Sequence, residues 1–400
     1  MPFTLLFDLD DTLLDTNIET FIPAYFQALS GHLAPYVSST LLIPALLSST
    51  RLMMENDDPS RPLRDVFERD FYARLGIVKN EIAEALDEFY DRVFPRLESK
   101  TGRRPDAAPL IEWVISQGHH VAIATDPLFP LKATHQRLRW AGLDPAQFEL
   151  VSSFENFHFS KSHTAYYAEM LGQLGWNDGA VLMIGNDVER DLIPAHRLGL
   201  RTYFVDGDPA SSPGFEAGRG NLKDIRPWLE SLEASAFEPS FQSPEAVQAI
   251  LRSTPAVLQT LTASLKREKW SVEPFGEDWA LNEIVCHLRD TEREIHHLQL
   301  RLLFQREDAF IPRPDTAVWA SERDYLQVDG WTALQEFTAA RLETVSQLAN
   351  LDGSLWSRKA RHAIFGPTSF LEVLGFMADH DRMHIQQVKK TLKNLQGERV

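Results

Sequence analysis

Short apolar runs alternate with helical patterns in the first half of the chain. Residues 3–7 form one such run, and others at 121–124, 148–151, 181–184 and 202–205 are separated by helical spacing. Short apolar runs with β-branched and aromatic members are typical of buried strands. Strands that alternate with helices predict an α/β, Rossmann-like parallel sheet with helices on both faces.

Residues from about 15 to 104 interrupt this alternation. Apolar side chains recur there every three or four residues, in stripes that include Phe21, Phe67 and Phe89. This spacing predicts a helical insertion that follows the first strand directly. The apolar stretch at 41–47 is too short to span a membrane and predicts a buried helix.

No strand alternation follows residue 243. Four long helical patterns predict an all-α four-helix bundle, and they lie at 244–266, 279–304, 331–348 and 368–395. Ser243 followed by Pro244 is a typical helix start, with the serine as cap. The predicted domains are therefore 1–234, with its helical insertion at 15–104, a linker at 235–243, and the bundle at 244–400.

Composition narrows the possible partners. The chain has 400 residues, which predicts more than one domain, and a formal net charge of −17, which argues against binding to nucleic acid or an acidic membrane. A single cysteine, Cys286, excludes an internal disulfide framework and suits a reducing compartment. No signal-peptide pattern or membrane-length run is present, so we expect a cytoplasmic protein. Apolar faces of the predicted bundle could pair between two copies of the chain, so a homodimer is one of the open alternatives.

Two carboxylates follow the first predicted strand. Asp8 and Asp10 lie two residues apart, so period two places them on the same side of the chain as it leaves the sheet. Ligands bind at this edge of open α/β sheets. One carboxylate could act as a nucleophile and the other as a proton donor and acceptor. The alternative is an acidic turn that caps the next helix, with Asp11 or Thr12 as the cap.

Further polar residues follow later strands or precede a helix. They are Thr125, Lys161, Asp187 and Asp191. Taken singly, Thr125 is explained by a turn cap, Lys161 by a solvated charge and Asp187 by a helix cap. Together with the first two carboxylates they form a candidate phosphoryl-transfer site. In it Thr125 and Lys161 hold phosphate oxygens, and Asp191 orients Lys161 or completes the acidic shell.

The same site would bind a metal. Asp8, the backbone carbonyl of Asp10 and Asp187 offer the oxygen ligands that Mg²⁺ prefers.

These motifs, in this order, resemble those of the haloacid dehalogenase-like hydrolases over roughly residues 1–232. The resemblance rests on the run from Asp8 to Thr12, on Thr125 and Lys161, and on the run from Gly185 to Asp191. It implies that Asp8 is a nucleophile that forms an aspartyl-phosphate. It also implies that Asp10 marks a phosphatase rather than a dehalogenase, and that the helical insertion is a substrate-selecting cap.

One position departs from that family. The commonest fourth motif has an aspartate directly after the glycine, where this chain has Asn186 followed by Asp187. We assign the metal to Asp187, with Asn186 as the alternative ligand and Asp191 in the same acidic shell.

Histidines carry the signal in the second half. His380 and His384 are four residues apart and share a helix face with apolar neighbours. His287 lies on the second predicted helix of the bundle, at the edge of its apolar inner face. Three neutral imidazoles would bind Zn²⁺, Ni²⁺ or Fe²⁺ and leave positions open for water or substrate. The alternative is that they are ordinary core or surface histidines.

The runs from Trp279 to Leu288 and from His380 to Gln387 resemble the DinB-like, YfiT-type metal-binding bundles over roughly residues 243–398. The resemblance implies that His287, His380 and His384 bind a divalent metal, and that the bundle belongs among thiol-dependent transferases, isomerases and proteins without an assigned reaction.

The leading hypothesis is an Mg²⁺-dependent phosphatase of a small phosphorylated metabolite, fused to a tri-histidine metal bundle. The second hypothesis is that the bundle carries the main activity, as a transferase that uses a low-molecular-weight thiol. The third is a bundle that senses a metal or docks a partner. An open metal position near an acid would favour the transferase.

Overall fold

The computed structural model describes residues 2–274, 278–316, 318–349 and 351–396. It divides into two compact units, one of Met1–Met170 with Asn177–Pro239, the other of Leu171–Trp176 with Ser240–Val400. The domain boundaries at 234 and 244 stay predictions.

The secondary structure is as follows. The strands are β1 (Thr4–Phe7), β2 (Leu14–Thr16), β3 (Thr101–Arg103), β4 (His120–Ile123), β5 (Leu150–Val151), β6 (Val181–Gly185), β7 (Arg201–Val205), β8 (Gly218–Gly220), β9 (Ala309–Ile311), β10 (Lys359–His362) and β11 (Gly366–Ser369). The helices are α1 (Ile18–Leu33), α2 (Ser39–Met54), α3 (Leu63–Leu75), α4 (Ala83–Glu88), α5 (Ala107–Ser116), α6 (Leu131–Trp140), α7 (Thr164–Leu174), α8 (Ile193–Leu198), α9 (Leu222–Glu230), α10 (Pro244–Thr262), α11 (Leu281–Asp290), α12 (His297–Gln305), α13 (Trp319–Glu322), α14 (Gly330–Leu348) and α15 (Phe370–Gln396).

The core of the first unit is a six-stranded sheet in the order β5-β4-β1-β6-β7-β8, and every pairing in it is parallel. The side chains of β1 and β6 are buried throughout, as expected for central strands covered on both faces. This confirms the predicted α/β class. Phe7 is in register with Ile123 on one side and Ile184 on the other, so the carboxyl ends of three strands meet beside Asp8.

The edge strand β8 falls in a segment rich in glycine and proline, where loop chemistry gives no strand pattern. Its backbone pairs with β7, with Tyr203 opposite Gly218. A side chain at Gly218 would meet the Trp228 ring at 2.6 Å, so the strand needs a glycine to pass under that ring.

The insertion after β1 is helical. It contains α1 to α4, a π-helical turn at Phe89–Val93 and a 3₁₀ segment at Phe94–Lys100. An antiparallel pair, β2 with β3, joins its two ends. The sequence analysis did not predict this pair, because three residues on each strand are too few to show a period.

Helix α2 contains the apolar stretch at 41–47. The prediction of a buried helix is wrong for one face. Leu42 and Leu46 are buried, whereas Leu41 is 55% exposed and Leu47 is 52% exposed. The stretch carries apolar residues all round, but the helix packs on one side only.

The second unit is mainly helical, which confirms the predicted all-α class. Its long helices are α10, α14 and α15, together with α11 and α12, which a π-helical turn at Thr291–His296 joins. The side chain of Ser243 accepts a hydrogen bond from the Ala246 N–H and caps α10 as predicted. A small sheet in the order β11-β10-β9 was not predicted. Among the described helices, none is long and apolar enough to cross a membrane.

Candidate active site and metal centre

The first candidate site lies where the central strands end. Asp8 directly follows β1, Thr125 comes two residues after β4, and Asn186 directly follows β6. Since β4 and β6 flank β1, the fold brings these three positions to one edge of the sheet.

Lys161 connects two buried carboxylates at this edge. Its ammonium group donates a hydrogen bond to Asp8 Oδ1 and forms an ion pair with Asp191 Oδ1. Burial lowers the pKa of Lys161, but the two carboxylates outweigh it, so the pKa lies above its usual value. Burial raises the pKa of Asp191 to about 7, although the positive charge of Lys161 acts to lower it. The sequence-predicted pair of Lys161 and Asp191 is therefore in contact.

A glycine makes this contact possible. A side chain at Gly185 would meet Asp191 Oδ2 at 2.2 Å. That same carboxylate oxygen accepts the Asp187 N–H at 2.9 Å. The end of β6 therefore needs a residue without a side chain, because the buried carboxylate lies against its backbone.

Asp10 has a partner that the sequence analysis missed. Arg137, on α6, donates a hydrogen bond to Asp10 Oδ2. Burial lowers the pKa of Arg137 to about 10, so the guanidinium stays charged at neutral pH. It also lies over the Phe129 ring, 5.2 Å from the ring centroid. The sequence feature that could have indicated this contact is the position of Arg137 on the buried face of α6, one turn after Ala133.

Thr125 is buried, and its backbone carbonyl accepts hydrogen bonds from the hydroxyl groups of Ser152 at 2.7 Å and Tyr166 at 2.9 Å. Its neighbour Asp126 is not among the predicted site residues. Asp126 Oδ1 accepts the Lys161 N–H at 3.2 Å, which ties the Lys161 loop to the site. Burial raises the pKa of Asp126.

Asn186 and Asp187 make different contacts. Asn186 Oδ1 accepts the Thr12 hydroxyl at 3.3 Å, next to the loop that follows β1. Asp187 Oδ1 accepts the N–H groups of Glu189 and Arg190 at 2.9 and 3.0 Å, which caps the π-helical turn after β6. Asn186 therefore meets the loop that carries Asp8 and Asp10, and both Asn186 and Asp187 stay predictions as metal ligands.

The second candidate site lies among the bundle helices. His287 is on α11, and His380 and His384 are on α15. His380 Nε2 lies 3.1 Å from Nε2 of His287 and 3.1 Å from Nε2 of His384. One ligand atom from each histidine lies within 4.8 Å of the other two. The fold thus brings together all three predicted histidines.

The electrostatics keep these imidazoles neutral. Burial, reinforced by neighbouring histidines, lowers the pKa of His287 to about 3 and that of His380 well below its ordinary value. His384 Nδ1 lies 2.9 Å from Gln387 Oε1 and donates to it, which leaves Nε2 with a lone pair. Neutral imidazoles with converging lone pairs are suited to a metal.

A buried charged network adjoins the histidines and was not predicted from the sequence. Arg341 donates to Asp381 and, at 2.7 Å, to Glu292. Glu292 also accepts a hydrogen bond from the Thr344 hydroxyl and another, of 2.9 Å, from His296 Nδ1. Burial would raise the pKa of Glu292, but Arg341 and His296 hold it well below its usual range. The network joins α15, at the residue next to His380, to α14 and to the π-helical turn at Thr291–His296.

A cavity of about 420 Å³ opens beside the histidines. Thr291, His296 and His380 line it on one side, and Arg313 and His362 line it elsewhere. A small molecule in this cavity would reach the edge of the three-histidine cluster.

The haloacid dehalogenase-like hydrolase family model matches residues 4–199, and the DinB superfamily model matches residues 250–388. A comparison with curated proteins found no match.

Solved structures match each half. YfiT from Bacillus subtilis, described as "a probable metal-dependent hydrolase with an unusual four-helix bundle topology", is 19% identical, with 40% of this chain and 90% of that chain covered and a TM-score of 0.35. A HAD phosphatase from Thermococcus onnurineus is 20% identical, with 57% and 98% covered and a TM-score of 0.38. A 2-haloacid dehalogenase from Pseudomonas syringae is 21% identical, with 57% and 99% covered and a TM-score of 0.43.

The two family matches confirm both resemblances: residues 4–199 are similar to haloacid dehalogenase-like hydrolases, and residues 250–388 are similar to DinB superfamily domains.

Proposed function

We propose that the first half is an Mg²⁺-dependent phosphatase that hydrolyses a small phosphomonoester through an aspartyl-phosphate on Asp8. The observation that carries this proposal is the buried contact of Lys161 with Asp8 and Asp191 at the carboxyl ends of the central strands. A cation beside the nucleophile suits a reaction in which negative phosphate oxygens approach a carboxylate.

A buried oxygen without a partner supports a divalent cation at this site. Asp8 and Asp191 share Lys161, and Asp10 Oδ2 is held by Arg137. Asp10 Oδ1 is buried and has no hydrogen-bond partner among the described residues. Oxygen ligands of this kind suit Mg²⁺. When bound, the ion would neutralise charge on the phosphate and on its surroundings.

Asp8 and the backbone carbonyl of Asp10 would hold the ion, with Asn186 as the third protein ligand. Asp187 is the weaker candidate, because its Oδ1 already accepts two backbone N–H groups. Asp191 would act through Lys161, since the two are in direct contact.

The residues divide the reaction between them. The Asp8 carboxylate attacks phosphorus and the ester P–O bond breaks, while Asp10 gives a proton to the departing oxygen. Thr125 and Lys161 hold the phosphate oxygens. Asp10 then takes a proton from a water molecule that attacks the phospho-aspartate, which releases phosphate and restores Asp8.

Phosphate release from small phosphomonoesters, with Mg²⁺ or with chelator, tests the proposal. We expect Asp8→Asn to lower kcat by roughly 10³-fold or more, because the nucleophile is lost. Asp15→Asn is the matched control, since Asp15 is exposed in the same segment. Full activity of Asp8→Asn would exclude the covalent mechanism.

For the second half, we propose a divalent transition metal, Zn²⁺, Ni²⁺ or Fe²⁺, at His287, His380 and His384. The supporting observation is the convergence of the three Nε2 atoms. The adjoining cavity and the nearby Glu292 favour a reactive site, such as a thiol-dependent transferase, over a closed structural one.

Metal analysis of the purified chain tests this assignment. We expect about one equivalent of metal in the wild type and its loss in His380→Ala/His384→Ala, because a single imidazole cannot hold the ion. His297→Ala is the control, since its ring is hydrogen-bonded to the Ala340 carbonyl instead. Unchanged metal content in the double variant would remove the assignment.

A further inference from the structure

A second cavity, of about 260 Å³, lies in the first unit between the helical insertion and the loops that follow β4 and β5. Its walls are mostly aromatic rings and leucines. Tyr25, Phe71 and Tyr90 line it from the insertion, and Phe129 and Phe154 line it from the loops. The Tyr25 and Phe129 rings are in contact, with centroids 5.4 Å apart.

The cavity has few free polar groups. None of its described lining residues carries a positive charge, and the acid among them, Glu68, is paired with Lys79 at 2.7 Å. The hydroxyl groups of Tyr25 and Tyr90 hydrogen-bond each other at 3.0 Å. Burial raises the pKa of Tyr25 to about 12 and that of Tyr90 well above its ordinary value, so both stay neutral.

These walls favour the binding of apolar groups over polar ones. A sugar or nucleoside would lose its hydrating water there and find few partners for its hydroxyl groups, which is unfavourable. An apolar group gains from the same transfer. A cavity of about 150 Å³ lined by apolar side chains accommodates benzene. The larger cavity here has room for a substituted ring.

The cavity wall is linked to one of the proposed reacting groups through Arg137. Phe129 lines the cavity, and the guanidinium of Arg137 lies 5.2 Å from its ring centroid. Arg137 in turn donates a hydrogen bond to Asp10. The apolar wall and the proposed proton donor are therefore held by the same arginine.

We propose that the cavity binds the organic group of the substrate, and that this group is uncharged and apolar, about the size of a substituted phenyl ring. The inference rests on the proposed phosphatase function. The ester P–O bond breaks as Asp8 bonds to phosphorus, and the organic oxygen takes the Asp10 proton. The product that leaves is an apolar alcohol, and water then releases inorganic phosphate from Asp8.

The test compares 2-phenylethyl phosphate with glucose 6-phosphate in wild type, Leu47→Glu and Leu41→Glu. Both leucines are exposed on α2, but only Leu47 lines the cavity. We expect wild type to prefer the phenylethyl ester in kcat/KM by about tenfold or more. Leu47→Glu should remove most of this preference through KM, because it places a charge at the cavity, and Leu41→Glu should keep it.

A binding measurement separates the inference from the reaction. We expect 2-phenylethanol to bind the Asp8→Asn protein, as seen by nuclear magnetic resonance, and to bind Asp8→Asn/Leu47→Glu more weakly. If phosphate is released with glucose 6-phosphate preferred and the alcohol does not bind, the inference is overturned and the phosphatase stands. If neither ester releases phosphate while the alcohol binds, the proposed reaction is wrong and the apolar cavity stands.

Discussion

The side chains of Asn186 and Asp187 leave the end of β6 toward different partners. Asn186 meets the Thr12 hydroxyl beside the first carboxylates, whereas Asp187 caps the turn that follows. An amide oxygen is a neutral ligand, so a metal held by Asn186 would be less strongly attracted than one held by a carboxylate. In the proposed Mg²⁺ site, the identity of this one residue would therefore affect the affinity for the ion.

We predict that Asn186→Ala raises the Mg²⁺ concentration needed for half-maximal phosphate release by about tenfold or more, because one oxygen ligand is lost. Asp187→Ala should have a smaller effect on the Mg²⁺ requirement, since the turn loses a cap but the ion keeps its ligands. Titration of activity with Mg²⁺ measures both. A larger effect of Asp187→Ala than of Asn186→Ala on the Mg²⁺ requirement would instead support Asp187 as the metal ligand.

The buried histidines predict a pH dependence of stability in the metal-free protein. Burial and the neighbouring His384 lower the pKa of His287 from 6.5 to about 3. Below pH 6.5 the unfolded chain binds a proton that the folded chain does not, so stability falls as the pH drops toward 3. At pH 5 this one group accounts for a loss of about 2 kcal/mol.

Urea unfolding of the metal-free protein at pH 7.5 and pH 5.0 measures this effect. His287→Gln should lose about 2 kcal/mol less between the two pH values than wild type, because glutamine does not titrate. Equal losses would show that His287 is not kept neutral by the fold.

At the scale of elements, Arg341 joins three parts of the second unit. From α14 it contacts Asp381 on α15 and Glu292 on the π-helical turn, and it also donates to the Leu251 carbonyl on α10 at 3.1 Å. All of these side chains are buried. The network holds the histidine-bearing helices in one arrangement.

We predict that Arg341→Met lowers the free energy of unfolding by about 3–5 kcal/mol, because it leaves buried carboxylates without a cation. Arg293→Met is the control and should cost about 0–1 kcal/mol, since the Arg293 side chain is 43% exposed and its pair with Glu336 is solvated. Urea unfolding monitored by tryptophan fluorescence measures both. Similar losses in the two variants would contradict the prediction.

Elements with a clear hydrophobic pattern were predicted, and elements without one were not. The central strands of the parallel sheet are continuous apolar runs, and the long helices carry apolar residues every three or four positions, as β6 and α15 show. The pair of β2 with β3 and the sheet of β9 to β11 use strands of three or four residues. Their partners are distant in sequence, as where Ala309 pairs with Ala360, so no local pattern reveals them.

At the scale of the whole molecule, the two candidate sites use separate residues in separate compact units. Asp8 and Lys161 belong to the first unit, and the three histidines belong to the second. Because no ligand is shared, we expect each site to work without the other.

We therefore predict that His380→Ala/His384→Ala changes kcat/KM for phosphate release by less than about twofold, and that Asp8→Asn leaves the metal content of the bundle unchanged, as for independent sites. Phosphate assays and metal analysis on the same preparations measure this. A larger change in either direction would show energetic coupling between the sites.

The sequence by itself determined the fold classes and the two family resemblances, and it predicted the candidate site residues. Strand ends, helix faces and ordered motifs are local features, so Asp8, Asp10, Lys161 and the His380–His384 pair were predicted from their places in these motifs.

Only the tertiary structure decided which groups meet across the chain. Arg137 reaches Asp10 over 127 residues, and Arg341 reaches Glu292 over 49, although each looked like an ordinary helical residue. Asn186 was separated from Asp187 by the direction of each side chain, which spacing does not encode. The apolar cavity likewise exists only because the insertion packs on two distant loops. Burial and electrostatic pairing depend on position in space, and they determined these contacts.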